Sequence, residues 1–272
     1  MHFKNSADQK IFYQSWLVNQ ARAVIVIAHG LGEHSGRYQH IAEALNAENY
    51  SVYALDHQGH GQSEGKQGHV HAFSDYHTDL QQLVAMTKNE NPNIPCHLLG
   101  HSMGGLIATG YALRHSDVDS LIVSAPAFGV PGKAANMQLK IGAFLGRFLS
   151  DTALSNKIDP AYVCSTQTVV DAYVNDPLVH DQITLGWGRA LVAEQKYIHE
   201  HLHELHIPFL LLVPQCDKLT DHTVTENWFT LVPDGNKEME IYPDSYHEVL
   251  NEAKEGPEAV QKIIHWLNEL QT

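Results

Sequence analysis

Between residues 24 and 123 the chain repeats one unit: a short apolar run, a turn, then a longer stretch with helical spacing. Val24-Ile25-Val26-Ile27-Ala28 is too continuous for a strand with one wet face. It reads as a strand covered on both sides, as in a parallel sheet. Helix-like Tyr38 to Glu48 then leads to Val52-Tyr53-Ala54-Leu55, Asp75 to Lys88 leads to His97-Leu98-Leu99, and Met103 to Arg114 leads to Leu121-Ile122-Val123. Right-handed crossovers between such strands build a mainly parallel central sheet with helices on both faces, an α/β fold. Two β-like runs within Phe3 to Val18, around a turn at Ser6-Ala7-Asp8, precede it.

After Ala125-Pro126 the alternation stops for roughly eighty residues, far longer than a plain connection in a compact domain. It resumes at Pro208-Phe209-Leu210-Leu211-Leu212-Val213. A helix near Val224 to Leu231, a strand Met239-Glu240-Ile241-Tyr242 and a last helix from Glu258 to Leu270 follow. No Pro/Gly/Ser stretch marks a linker, and 272 residues suit one large domain carrying an insertion. The expected division is a core in two parts, 1–127 and 206–272, with a helical cap insertion, 128–205, over one end of the sheet.

Gly100-His101-Ser102-Met103-Gly104 fits G-x-S-x-G, and it follows an expected strand and opens an expected helix. That context is the nucleophile elbow of the α/β-hydrolase fold, in which a tight turn lifts the serine hydroxyl above the sheet edge. The helix N-terminus beneath favours developing negative charge. The motif alone is common; strand and helix around it make Ser102 the candidate nucleophile.

A serine needs a base, and the chain holds 20 histidines. In this fold the order is serine, acid, histidine, with the histidine after the last strand, which selects His247. The acid belongs after the preceding strand, where Asp217 stands in Pro214-Gln215-Cys216-Asp217. Asp221 competes from the same loop, and Asp244 is near His247 in sequence but at the wrong strand position. Asp217 would hold the imidazole tautomer and stabilise the imidazolium without taking the proton. Two backbone donors must hold the oxyanion: Met103, directly after the nucleophile, and Leu31, in the loop His29-Gly30-Leu31-Gly32. Losing one such donor typically costs about 3 kcal/mol of barrier.

Taken together, His29-Gly-Leu-Gly-Glu33-His-Ser-Gly-Arg37-Tyr38, Asp56-His-Gln-Gly59-His60-Gly61-Gln-Ser63-Glu-Gly65, Gly100-His-Ser-Met-Gly-Gly105, Asn175-Asp-Pro-Leu178 and Tyr246-His247 resemble the monoacylglycerol lipase family over nearly the whole chain. The resemblance implies hydrolysis of monoacylglycerols to fatty acid and glycerol, with no cofactor. It also implies that Glu33, Arg37, His101 and Tyr173 form a polar pocket for the glycerol end, beside an apolar tunnel for the acyl chain. A structural ion pair holding the oxyanion loop is the other role open to Glu33 and Arg37. Many relatives carry arginine where this chain has Gln58, and the cap is the least similar region. Lysophospholipids or short-chain esters are the alternative substrates, and a non-catalytic binding protein on a hydrolase fold is the remote alternative.

With 31 acidic residues against 17 Lys and Arg, the formal charge is −14. Such a surface repels phosphate backbones and anionic headgroups, so nucleic acid is not an expected partner, and membrane contact would be apolar. Three scattered cysteines imply no disulfide framework. The first residues lack a basic start with an apolar run, and no apolar stretch is long enough to span a bilayer, so a reducing cytoplasm is expected.

His199-Glu200-His201-Leu202-His203 matches H-E-x-x-H, a zinc signature when on a helix, but no third ligand follows in metalloprotease style, and no metal is expected. In the cap, Met137, Ile141, Phe144 and Phe148 recur at helical spacing, beside Leu145 and Leu149 and flanked by Lys140 and Arg147. This stripe is either a packed helix face or an exposed one for peripheral membrane contact and acyl entry. Cys216 is expected to pack as a small side chain.

Overall fold

A computed structural model describes residues 1–235 and 237–271. The chain opens with a hairpin, β1 (His2–Lys4) and β2 (Lys10–Trp16), and then runs β3 (Ala23–Ala28), α1 (Gln39–Ala47), β4 (Tyr50–Leu55), α2 (Phe73–Glu90), β5 (Cys96–His101), α3 (Met103–Ala112) and β6 (Ser120–Ser124). The sheet order is β1-β2-β4-β3-β5-β6, continued by β9 (Phe209–Pro214) and β10 (Lys237–Tyr242). β1 and β2 are antiparallel; every pairing from β4 to β10 is parallel.

Successive side chains of one strand feed two cores. Val24 and Val26 point to one face and meet Leu98, Val123 and Leu211. Ile25 and Ile27 point to the other and meet Leu99, Ile122, Leu210 and Leu212. Each such side chain is worth about 1.5–3 kcal/mol when fully buried, so both faces demand cover. On the Ile25 face it comes from α1, through Ile41 and Leu45, and from α8 (Glu255–Glu269), through Val260, Ile263, Ile264 and Leu267. On the Val24 face α2 and α3 supply Leu80, Leu83, Leu106 and Ile107. Strands buried on both faces are what the uninterrupted apolar runs require.

Between β6 and β9 lie α4 (Lys133–Leu145), β7 (Ala153–Ser155), α5 (Gln167–Asn175), β8 (Gln182–Thr184) and α6 (Leu185–His201). β7 and β8 pair with each other as a separate two-stranded sheet. α6 returns to the body, where Trp187, Leu191 and Ile198 join the core. α7 (His222–Phe229) links β9 to β10.

The stripe on α4 and the turn after it faces outward: Met137, Ile141, Phe144 and Phe148 are 52–75% exposed. Of the two readings of that stripe, the packed one does not describe this structure. Among the described residues no helix is long and apolar enough to cross a membrane. α6 ends at His201, part-way through the H-E-x-x-H match. There the His199 ring meets Trp228 and the His201 ring stacks on Tyr197. Cys216 departs from expectation, being exposed, because its loop carries it past the end of β9.

Candidate active site

The C-terminal ends of β3, β5, β9 and β10 converge, and the loops that leave them carry the candidate residues. Ser102 leaves β5 with φ 53° and ψ −117°, the strained turn that lets α3 start at once. Gly104 makes the turn feasible, because a Cβ there would lie 2.0 Å from the carbonyl oxygen of Ala28. Ser102 N donates to Ser124 O at 3.0 Å, and Ala127 N donates to Ser102 O at 3.0 Å, so β6 braces the elbow.

His247 lies in the loop after β10, and its Nδ1 is 2.7 Å from Asp217 Oδ2. Asp217 is otherwise engaged by the N–H groups of Leu219 and Thr220, at 2.7 and 3.0 Å on Oδ1, and by Thr220 Oγ1 at 2.6 Å on Oδ2. Burial opposes ionisation of Asp217, yet His247 and those donors outweigh it and hold the carboxyl below its ordinary range. The reciprocal holds for His247: burial disfavours the imidazolium, but Asp217 raises its proton affinity above the ordinary value. The two competing acids are elsewhere. Asp221 caps α7 by accepting from Thr223 N and Val224 N, and Asp244 is exposed.

Ser102 and His247 line one cavity of about 460 Å³, together with Leu31 and Met103. Among the described residues neither Leu31 N–H nor Met103 N–H has a protein acceptor. Its lining combines apolar side chains, Leu139, Ile183, Trp187 and Leu191 among them, with the polar Glu33, His101, Tyr173 and Glu248.

Those polar side chains belong to a network. Glu33 Oε1 accepts from Gly30 N at 2.6 Å and from Tyr38 OH at 2.8 Å, while Oε2 accepts from Arg37 at 2.7 Å. Arg37 also makes a two-pronged contact with Glu248, at 2.5 and 2.7 Å, and lies 4.9 Å from the centre of the Tyr173 ring. Burial would raise the Glu33 carboxyl, but Arg37, His101, His29 and the Gly30 N–H together bring it down to about 2. His101, its ring 4.8 Å from that of His247, is pushed down to about 4, first by burial and then by His247.

Glu33, His101 and Tyr173 face the cavity; Arg37 stands behind them and lines a second, outer cavity of about 630 Å³. The sequence reading missed Glu248, which shares Arg37 with Glu33. Its only local signal was its place beside His247. Among the described residues Glu33, His101 and Glu248 are the one trio of metal-type ligands within 4.8 Å of one another. Both carboxylates already pair with Arg37, which shares its single positive charge between them.

The loop that carries Gln58 is held by contacts from its neighbours. Asp56 accepts from Ser35 N and Oγ and from Gln62 N, at 2.8, 2.6 and 2.8 Å. His29 Nε2 accepts from His57 N at 2.9 Å, tying the oxyanion loop to the loop after β4.

This geometry has close counterparts. The family model described as "Serine aminopeptidase, S33" matches residues 19–254. The chain is 32% identical to the monoacylglycerol lipase of Mycolicibacterium smegmatis, over 93% of this chain and 91% of that one. It is also 32% identical to the monoglyceride lipase of Homo sapiens, covering 98% of this chain and 88% of the relative. A crystal structure of the Paleococcus ferrophilus monoacylglycerol lipase superposes with a TM-score of 0.87 at 30% identity, covering 94% of this chain and 98% of that one. On the family match and these likenesses, the chain belongs to the monoacylglycerol lipase family of carboxylic ester hydrolases with the α/β-hydrolase fold.

Proposed function

We propose that this protein hydrolyses monoacylglycerols to fatty acid and glycerol through an acyl-enzyme on Ser102. The observation that carries the reading is that one cavity is lined by Ser102 and His247, by apolar side chains suited to an acyl chain, and by the polar Glu33, His101 and Tyr173 suited to a polyol. Ser102 Oγ attacks the ester carbonyl as His247 takes its proton, and Asp217 stabilises the imidazolium. The unclaimed N–H groups of Leu31 and Met103 receive the oxyanion, and their direction is fixed before substrate arrives. The C–O bond to glycerol breaks as His247 returns the proton to the departing oxygen. Water then adds to the acyl carbonyl with His247 as base, and the fatty acid leaves as Ser102 recovers its proton.

Glu33, His101 and Tyr173 are assigned to the glycerol hydroxyls, with Arg37 holding Glu33 and the neighbouring Glu248 from behind. Residues 128–205 act as the cap over the sheet end. The outward stripe on α4 is assigned to peripheral contact with lipid, through which a poorly soluble ester reaches the cavity.

The deciding experiment is turnover of monoacylglycerols of graded chain length by wild type and Ser102→Ala. The expected result is turnover by wild type and none by the variant. Cleavage of small esters with no monoacylglycerol of any length turned over would overturn the substrate assignment and leave the hydrolase.

A further inference from the structure

The segment that begins at the Asn175-Asp176-Pro177-Leu178 motif has no reacting group, yet it is where the insertion grips the catalytic loops. His180 N donates to Gly32 O at 2.9 Å. Gly32 has φ +74°, and a Cβ there would lie 2.4 Å from His180 O, so the two backbones meet with no room for a side chain between them. Asp176 Oδ2 is 2.9 Å from His34 Nε2, a second tie to the same loop.

The His180 ring reaches a different loop. Its Nδ1 accepts from Gln182 N at 3.2 Å, which leaves Nε2–H to donate to Gly59 O at 3.1 Å. Next to it stand three buried imidazoles: His60, its centroid 4.8 Å away, then His29, 5.4 Å from His60, and His57, 4.4 Å from His29. His60 Nε2 and both ring nitrogens of His57 lack a partner among the described residues. Burial keeps His29, His57 and His60 neutral, and it lowers His180 in the same direction. Glu33, Asp56 and His34 face His29; His77 and Tyr76 face His57. Glu33 and Tyr76 face His60, and Asp181 faces His180.

We propose that His180 is a positioning residue for the oxyanion donors: its neutral imidazole, lodged between Gln182 N, Gly59 O and the His60 ring, ties the cap segment to the loop after β4 and so holds the His180 backbone N–H on Gly32 O, which fixes the direction of the Leu31 N–H. The inference rests on the acyl-transfer chemistry proposed above. A protonated His180 would lose the bond from Gln182 N and bring a positive charge against the histidine cluster. Acid therefore loosens the clamp, and imidazoles freed from burial take up protons that hold it open.

The test measures kcat and KM for a monoacylglycerol, and the rate at which a fluorophosphonate labels Ser102, for wild type, His180→Ala and His180→Gln between about pH 5 and 8. Labelling needs the nucleophile and the oxyanion donors but no lipid, so a failed substrate assignment leaves this comparison intact. His180→Ala is expected to lower kcat and the labelling rate on the order of tenfold, with KM within about twofold. His180→Gln, whose amide can still donate to Gly59 O, is expected to recover most of that loss. The acid limb of the wild-type labelling rate is expected to be steeper than a single titration, and that of His180→Gln to fall toward one. An unchanged rate in His180→Ala, a rise in KM with kcat kept, or a single-proton limb in the wild type would each overturn the proposal. Should His180→Ala fail to fold, the slope of the Gln variant decides.

Discussion

Glu33 takes the N–H of Gly30 on the same carboxylate oxygen that takes the Tyr38 hydroxyl, at 2.6 and 2.8 Å, and gives its other oxygen to Arg37. The Glu33 carboxylate is thus committed to the loop that holds Leu31. Glu33→Gln should lower the unfolding free energy on the order of 3 kcal/mol, as for breaking a buried pair, and lower kcat as the loop loosens. Urea denaturation with steady-state kinetics checks this. Unchanged stability with a raised KM alone would make Glu33 purely a substrate contact.

Asp217 and Asp221 lie in one loop but have separable roles. Asp217→Asn should lower kcat on the order of 10⁴-fold, because the wrong imidazole tautomer then faces Ser102. Asp221→Ala removes a helix cap and should cost about 1 kcal/mol of stability with kcat nearly unchanged. The two variants exchanging these phenotypes would reverse the assignment.

The pH profile follows from the raised proton affinity of His247. Catalysis needs the neutral ring, so kcat/KM should fall as pH drops, with a midpoint above the ordinary histidine value of 6.5. Stability runs the other way. The charged pair with Asp217 contributes fully below the unfolded value and is lost as pH rises through the higher folded value. Stability and activity should therefore move in opposite directions across that window, and His247→Gln should abolish both dependences. A midpoint below 6.5 would mean that Asp217 does not hold the imidazolium.

Asp79 supplies a pH dependence of another origin. Burial pushes its carboxyl up to about 7, and its hydrogen-bond partner is Asn5 Nδ2 at 3.4 Å, an amide that Gln58 also meets at 3.5 Å. An acid whose folded value exceeds its unfolded 3.8 stabilises below that value and loses the contribution as pH rises to about 7. Asp79→Asn should thus gain up to about 4 kcal/mol relative to wild type at pH 8, and nothing below pH 4. Gln58→Arg should stabilise at pH 8 by pairing with Asp79. Thermal denaturation at the two pH values decides both.

The outward stripe makes a separable prediction. Phe144→Ser with Phe148→Ser should slow turnover of vesicle-borne monoacylglycerol several-fold, roughly as expected for lost apolar insertion, and spare a soluble short-chain ester. Equal effects on both substrates would place these residues in the acyl path instead.

Much of this was legible in the chain itself, for identifiable reasons. The two-faced strands declare themselves because a run such as Val24 to Ala28 has no polar position to offer solvent. The elbow is legible because close backbone approach at Gly104 admits one residue type. Other features had no local trace. Glu248 meets Arg37 across 211 residues, and neither position's surroundings encode the other. β7 and β8 are three-residue strands, too short for periodicity to register. α2 starts two residues before its expected Asp75 because buried Phe73 anchors its first turn. The outward face of α4 shows why an apolar stripe cannot report whether it is covered; that depends on the neighbours a fold brings to it.

β6 and β9 are hydrogen-bonded neighbours, with Leu121 opposite Phe209, although the whole segment from Ala125 to Pro208 lies between them in the chain. The chain leaves the sheet and re-enters it next door, like a loop of thread pulled from one stitch. The scaffold's register is therefore indifferent to what is carried in that loop. Exchange of the part of that loop before α6, whose Trp187, Leu191 and Ile198 belong to the core, is a change the sheet can absorb, so enzymes built this way can diversify what they admit while Ser102 stays where β5 puts it.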